Sequence, residues 1–407
     1  MEKPASAATS HFIVCHVTAL TFYTIFFINA SFFAKKAQKI FHKLLRRFSM
    51  FFVQFAHSDI SSCLRYNILY IKGRNSDQTT IKGNAMRTVT VNKNDAGQRI
   101  DKFLTKFLPS MPQSLIYKSL RKKRVKINGK RAGEQDILSA GDVLELYIND
   151  EFFDTPTPEE AFTKIRTPKV NVVYEDENIL LADKPQGMVV HSDDKESINT
   201  LIAHIQAYLL QKGEYNPKDE HSFAPALCNR IDRNTRGIVK AAKNAEALRI
   251  LNEKIKTKEV RKFYQCIVCG IPKQKNDTLT SYMKKDAANN LVKVYDHPVP
   301  DAKTAITKYA VKKAYQKHAL LEIELITGRT HQIRAQMSAI GHPLLGDGKY
   351  GTWGNAPLLK QQALCSYRLR FEFASDAGLL NYLNGKEFSI RPVDFGVPTE
   401  KLLKELR

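Results

Sequence analysis

Residues 227–242 read Leu-Cys-Asn-Arg-Ile-Asp-Arg-Asn-Thr-Arg-Gly-Ile-Val-Lys-Ala-Ala, and this stretch decides how the rest of the chain is read. Asp232 stands among Arg230, Arg233 and Arg236, and a β-branched, apolar run follows Gly237 directly. An acid that works as nucleophile or base must stay ionised while partly shielded from water, and neighbouring guanidinium groups favour its charged form. Arginine suits that task because it is planar and permanently charged. By composition alone the same residues make a polar turn between two strands, with ordinary surface ion pairs. Their order separates the two readings.

Arg-Ile-Asp-Arg-Asn-Thr-x-Gly-Ile, at 230–238, resembles the signature H-R-L-D-x-x-T-S-G-L of the pseudouridine synthases that modify ribosomal large-subunit and transfer RNA. Asp232 falls on that family's catalytic aspartate, and Arg230 on the arginine beside the base pocket. Asn229 stands where histidine is common and Arg236 where serine is common. Neither change replaces the acid or Arg230, so they bear on substrate choice more than on chemistry.

Further signatures follow in the family's order. Lys184-Pro185-x-Gly187-x-x-Val190-His191 is expected to shape a cleft wall and do no chemistry, because glycine permits a tight turn and proline removes a donor. Lys262-x-Tyr264 resembles the family's K-x-Y element, which implies that Tyr264 stacks on the uracil once it leaves the RNA helix. In Leu325-Ile-Thr-Gly-Arg-Thr-His-Gln-Ile-Arg334 the resemblance places Arg329 as the partner of Asp232 and Ile333 as an apolar wall against the base. His331 and Arg334 are expected to contact RNA backbone or the fold itself. Gly346-Asp-Gly-Lys-Tyr-Gly351 contains a formal G-x-G-x-x-G, yet no strand precedes it and Asp347 would face a pyrophosphate. It resembles the family's G-D-x-x-Y-G turn instead.

Composition agrees with a polyanion-binding protein. The chain has 407 residues, room for two or three domains, and its 63 Lys plus Arg against 41 Asp plus Glu give a formal charge of +22. RNA or DNA is the first candidate partner and an anionic membrane the second. Six scattered cysteines, at 15, 63, 228, 266, 269 and 365, are too few for a disulfide framework and fit a reducing cytoplasm. Cys266-Ile-Val-Cys269 has the spacing of half a zinc site but no second pair at suitable spacing, so it reads as a buried strand.

The first 86 residues differ from the rest. Phe12 to Ala34 is apolar enough to be a transmembrane candidate and a basic run follows it, but no basic segment or cleavage site marks a secretory signal. The expectation is a disordered or non-native extension upstream of a start at Met86, with a membrane anchor or a targeting segment as the alternatives. It carries 11 basic and 3 acidic residues, so a surplus of 14 positive charges remains on 87–407.

Residues 87–150 form a compact pattern. A short strand leads to a helix with Ile100, Phe103, Leu104, Phe107 and Leu108 on one face, Pro109 ends it, and a second helix runs over 113–123 into a strand and an Asn128-Gly129 turn. Between Lys118 and Arg131 eight of fourteen residues are basic, among them Lys118, Arg121, Lys122, Arg124, Lys126 and Lys130, and none is acidic. Such density suits phosphate tracking better than solubility alone, although a solvated charged face has the same composition. The module resembles the small S-four-type RNA-binding domain that commonly precedes this family's catalytic domain. Residues 151–169 mix acids with prolines and read as a linker that lets the module move.

In the remainder, 170–407, a hairpin is expected around 175–178, helices over 198–210 and 245–256, and an alternating strand at 321–325. The resemblance implies an α+β fold: a mixed, mainly antiparallel sheet with flanking helices and a central cleft, preceded by a small α/β RNA-binding domain. It also implies an isomerase that needs neither metal nor other cofactor, because bonds are exchanged within one nucleoside. RNA is the partner, large-subunit ribosomal RNA ahead of transfer RNA, and the chain is expected to act as a monomer away from membranes. A non-catalytic RNA-binding assembly factor is the rival reading.

Overall fold

The computed structural model describes residues 86–153, 161–193, 196–286, 289–351 and 359–391, with 393, 395, 401 and 402. The N-terminal extension and its transmembrane candidate lie outside them. Among the described residues no helix is long and apolar enough to cross a membrane.

The N-terminal module contains β1 (Arg87–Thr90), α1 (Ile100–Phe107), α2 (Gln113–Arg121), β2 (Val125–Ile127), β3 (Lys130–Arg131) and β4 (Val143–Leu146). Its strands pair in the order β1-β4-β2-β3. Helix α1 buries Ile100, Phe103 and Leu104, and Leu108 closes the same apolar face. These residues meet Ile116 and Leu120 of α2 and Leu144 and Leu146 of β4 in one core. Asn128 (φ 50°) and Gly129 (φ 76°) are both left-handed, the geometry a two-residue hairpin requires between β2 and β3. Lys118, Arg121, Lys122, Arg124 and Lys130 are exposed. Lys126 differs, for its Nζ meets Glu145 at 3.1 Å across the sheet and lies 5.0 Å from the Tyr147 ring centre.

The larger domain is built on a sheet of β5 (Val172–Glu175), β6 (Ile179–Lys184), β7 (Ala226–Leu227), β8 (Arg236–Ala242), β9 (Val260–Cys269), β10 (Asn276–Asp286), β11 (Leu291–Tyr295), β12 (Lys303–Ala314), β13 (His318–Leu325), β14 (Leu364–Phe371) and β15 (Glu387–Ser389). The strand order is β11-β10-β12-β13-β9-β14-β8-β6-β5, with β15 on β14 and β7 on β8. Pairing is antiparallel except between β8 and β14, which makes the sheet mixed. At that parallel contact Gly237 (φ +130°) lies opposite Ser366, whose carbonyl oxygen would stand 2.2 Å from any Cβ at 237. Only glycine lets the two backbones come this close.

Helices α3 (Leu201–Gln211), α4 (Ala245–Lys256) and α5 (Gln332–Ala339) cover the sheet. Alternation decides which helix each strand face meets. Leu180, Ala182, Val239 and Ala241 pack with α3, whereas Ile179, Leu181, Ile238 and Ala242 pack with Ala247 and Leu251 of α4. Asn244 caps α4 by accepting the Ala247 N–H at 2.8 Å, and the helix has the length its sequence spacing predicts. For α3 the expected start at Ile198 is corrected. Thr200 caps the helix by accepting the Ala203 N–H, so helical geometry begins at Leu201 and Ile198 is 41% exposed.

Within the expected linker, Phe162 is buried against the α3 layer. The module's 92–98 loop meets the larger domain through polar bonds. Asn94 Nδ2 donates to Glu220 at 2.6 Å, Gln98 Nε2 to Ser222 Oγ at 2.7 Å, and Ser222 Oγ to Asp95 at 2.6 Å. Arg249 of α4 donates to the Ala96 carbonyl at 3.0 Å.

Candidate active site

Asp232 lies in the loop that enters β8. Two devices fix that loop. The Thr235 N–H returns to the Asp232 carbonyl at 3.0 Å, and the Arg233 carbonyl receives the Gly187 N–H at 2.9 Å. Lys184, at the end of β6, is fully buried, and its Nζ donates to the carbonyls of Pro185 (2.9 Å), Met188 (2.7 Å) and Arg233 (2.9 Å). Three acceptors match the three protons of an ammonium. Burial pulls this amine down to about 7, against the opposing pull of Asp232 and Asp183. The Lys-Pro-x-Gly segment, expected as a cleft wall, is not among the residues that line the cleft; its lysine instead ties the turn to the loop that carries the acid.

The neighbouring departures from the signature have local uses. Asn229 Oδ1 accepts the Lys240 N–H at 2.9 Å and so acts as a backbone clip for β8. Arg236 turns back on Asp183, with its Nη2 2.8 Å from Oδ2. Arg230 and Arg233 are exposed; Arg230 lines the cleft and Arg233 pairs with Asp193 at 2.9 Å.

The acid's partner is not the expected one. Arg334 Nη1 donates to Asp232 Oδ2 at 2.8 Å, across 102 residues of sequence. Arg329 stays exposed on the rim, where its Nε donates to the Thr304 carbonyl at 3.0 Å. The proposed Asp232–Arg329 pair is therefore corrected to Asp232–Arg334. The reason is the turn between β13 and α5: His331 is left-handed (φ 52°), and helical geometry starts only at Gln332. Arg334 then lies one turn into the helix, and helical side chains lean towards the N-terminus, here towards Asp232. Gln332 braces the turn by accepting the Arg329 N–H at 2.9 Å and donating to the Ile306 carbonyl at 3.0 Å.

Behind the guanidinium stands Asp347, whose side chain is fully buried. It receives Arg334 Nε at 2.7 Å and Nη2 at 2.9 Å. Burial opposes its charge, but the bonds and charge of Arg334 outweigh burial and hold the carboxyl below the usual carboxylate range. Arg334 is raised despite burial because two carboxylates flank it. A buried charge is stable only when paired in this way.

Tyr264, from β9, is buried in the cleft wall, and burial pushes its phenol up to about 12. Ile333 and Leu364 are buried beside it, and Leu325 completes the apolar wall. The open cleft is lined by the charged Arg230, Asp232, Arg329 and Arg334 together with the apolar Ile231, Leu325, Ile333 and Leu364 and by Tyr264. That mixture of charged and apolar lining suits a small planar group with polar edges. The structure thus brings Asp232, Tyr264, Ile333, Arg230 and Arg329 to one cleft, with Arg334 taking the pairing expected of Arg329. Sequence reasoning missed Lys184 and Asp347. Their motifs were visible, but no spacing rule says which carbonyl or guanidinium a side chain will meet.

Comparison with known proteins gives the family of the chain. The family profile described as RNA pseudouridylate synthase matches residues 178–339. The chain is 33% identical over 268 residues to ribosomal large subunit pseudouridine synthase C of Vibrio vulnificus, covering 65% of this chain and 80% of that protein. It is 31% identical over 269 residues to the protein of the same name from Vibrio parahaemolyticus, covering 65% and 79%. An RNA pseudouridine synthase of Mycoplasma genitalium is 34% identical over 290 residues, 69% of this chain and 88% of that one. Among solved structures, human RNA pseudouridylate synthase domain containing 4 aligns at a TM-score of 0.45 with 21% identity, over 58% of this chain and 93% of that one. With relatives at this identity matched over most of their own length, the chain belongs to the RNA pseudouridylate synthase family and is an isomerase acting on RNA.

Proposed function

We propose that this enzyme converts a uridine of large-subunit ribosomal RNA to pseudouridine, with Asp232 as the acid that drives the exchange. The observation that carries the reading is Asp232, held by Arg334 and backed by Asp347, in one cleft with Tyr264 and Ile333. The target uridine leaves the RNA stack at a cost of about a few kcal/mol and enters the cleft, where Tyr264 offers a flat face. The N1–C1′ bond breaks, the base turns, and C5 bonds to C1′; N1 gains a proton and C5 loses one, so the reaction balances within the nucleoside. Arg334 fixes the Asp232 carboxylate at 2.8 Å, where it can face the sugar of the bound nucleotide.

The names of the Vibrio relatives favour large-subunit ribosomal RNA over transfer RNA. The exposed bases of the N-terminal module, read as an S-four-type RNA-binding domain over 87–150, supply the phosphate contacts such a large substrate needs. The working form in this reading is a monomer. A reducing cytoplasm suits the thiols of Cys228, Cys266 and Cys269, which form no disulfide among the described residues. The test is to map pseudouridines in ribosomal and transfer RNA from cells with the wild-type chain, without it, and with Asp232→Asn. Loss of a large-subunit site in the last two is the expected result. Loss of a transfer-RNA site would reassign the substrate, and full modification by Asp232→Asn would leave only an RNA-binding assembly factor.

A further inference from the structure

The Gly346–Gly351 turn does two things at the back of the cleft. Its first is to aim a guanidinium. Asp347 takes Nε and Nη2 of Arg334 in a two-pronged grip, which leaves Nη1 as the atom that reaches Asp232. Asp347 cannot swing away, because its Oδ1 also accepts the N–H groups of Lys349 at 2.9 Å and Tyr350 at 3.2 Å. The turn is closed tightly at both ends. A Cβ at Gly346 (φ +75°) would meet the Gln361 carbonyl at 2.4 Å, and one at Gly351 the Asp347 carbonyl at 2.6 Å.

The second concerns His331. Tyr350 Oη accepts the Val292 N–H at 2.9 Å and lies 2.8 Å from His331 Nδ1. The Val292 N–H occupies one acceptor direction of the phenol oxygen, and we assign the phenol's own proton to the bond to Nδ1. Burial keeps the imidazole neutral by lowering its pKa, with the Asp232 charge opposing. A neutral ring that accepts at Nδ1 carries its hydrogen on Nε2, and Nε2 stands 4.0 Å from Asp232 Oδ2 at the cleft.

We propose that the Gly346–Gly351 turn positions the reacting groups of this site: Asp347 aims Arg334 at Asp232, and Tyr350 turns the Nε2–H of His331 towards the extruded nucleotide as a hydrogen-bond donor. The ligand of that donor is an oxygen of the nucleotide, a uracil carbonyl or a ribose hydroxyl. The inference rests on Asp232 as the reacting acid. Asp347 and Tyr350 act only through Arg334 and His331, so the turn itself touches no substrate.

Double-mutant cycles test this, with single-turnover pseudouridine formation on protein-free ribosomal RNA from cells lacking the enzyme as the readout. Asp347→Asn is expected to slow turnover about a hundredfold with RNA affinity within about twofold, and to cost less than about threefold once Arg334→Lys is present. Tyr350→Phe is expected to slow turnover about fivefold, and to have no further effect in His331→Asn. Losses that multiply independently in these cycles, or full turnover by Asp347→Asn, overturn the proposal. Should Asp347→Asn fail to fold, as read by its melting temperature, the Tyr350 cycle decides alone, because removing one hydroxyl keeps the ring that packs there. Asp232→Asn is run beside them. If it turns over normally, the reading of Asp232 has failed; if it is dead while both cycles are additive, only the present inference has.

Discussion

The cleft and the rim of the N-terminal module both concentrate charge, and they treat it in opposite ways. In the cleft Asp232, Arg334 and Asp347 form a chain of contacts whose exposure falls from 26% at Asp232 through 9% at Arg334 to none at Asp347. On the rim Lys118, Arg121, Lys122, Arg124 and Lys130 are exposed to water. Chemistry needs few charges, desolvated and fixed, because a charge-assisted bond is strong only where water does not compete. Holding a long polyanion needs many, solvated and adjustable, because binding is driven by releasing counterions from phosphates. Lys126 lies on the module yet is paired with Glu145, and so belongs with neither group.

The contrast breaks most visibly at the acid. Asp232→Asn should reduce turnover by about ten-thousandfold while leaving RNA affinity within about twofold, measured by product formation and by filter binding. If affinity fell in step with turnover, the division between the two regions would be wrong. Changing Lys118, Arg121, Lys122 and Lys130 together to alanine should do the reverse. Affinity should fall by about a hundredfold at moderate salt, and the slope of log affinity against log salt should flatten by about three. The loss should appear in KM, with kcat recovered at saturating RNA.

Two lysines sharpen the same point inside one sheet. Lys184 and Lys240 are both fully buried, one on β6 and the other on β8. Lys184 has three carbonyl acceptors, whereas Lys240 Nζ has no hydrogen-bond partner among the described residues. Lys184→Met should therefore destabilise the fold by about 3 kcal/mol and release the Asp232 loop, a loss visible in denaturant melts and in turnover.

Lys240→Met should stabilise by roughly 3–5 kcal/mol at or below pH 7, since it replaces an unsatisfied buried ammonium with an apolar chain of similar length. Burial, with Lys262 adding to it, lowers the Lys240 amine from 10.5 to about 7. Between those values the unfolded chain holds a proton that the folded chain has released, so this residue makes stability rise with pH, by at most about 1.4 kcal/mol per unit. Below about 7 both states are protonated and its cost is fully present. The advantage of Lys240→Met should thus be greatest at or below pH 7 and fade towards 10.5, and equal stability of the two proteins at pH 7 would show that Lys240 has found a partner.

Much of this was legible before coordinates. The resemblance carried by Asp232, Lys262-x-Tyr264 and Ile333 singles out three residues that the structure brings to one cleft, because each motif depends on neighbours in sequence. The partner of Asp232 was misassigned for the opposite reason. Whether Arg329 or Arg334 reaches the acid depends on a left-handed residue at 331 and on where α5 begins, and both alternatives carry the same charge five positions apart. Asp347 was seen only as an obstacle to a pyrophosphate, since its use depends on a guanidinium thirteen residues earlier turning to meet it. Lys184 was read as part of a motif because a buried lysine is legible only when its carbonyls are in view.

Gly237 carries a lesson for anyone surveying substitutions across this enzyme. No replacement can keep its backbone neighbour, Ser366, where it is, so position 237 should prove as intolerant as position 232 although it handles no proton and meets no base. A map of forbidden changes would score the two alike. Only separating unfolded variants from folded, silent ones tells a seam between strands from a reagent.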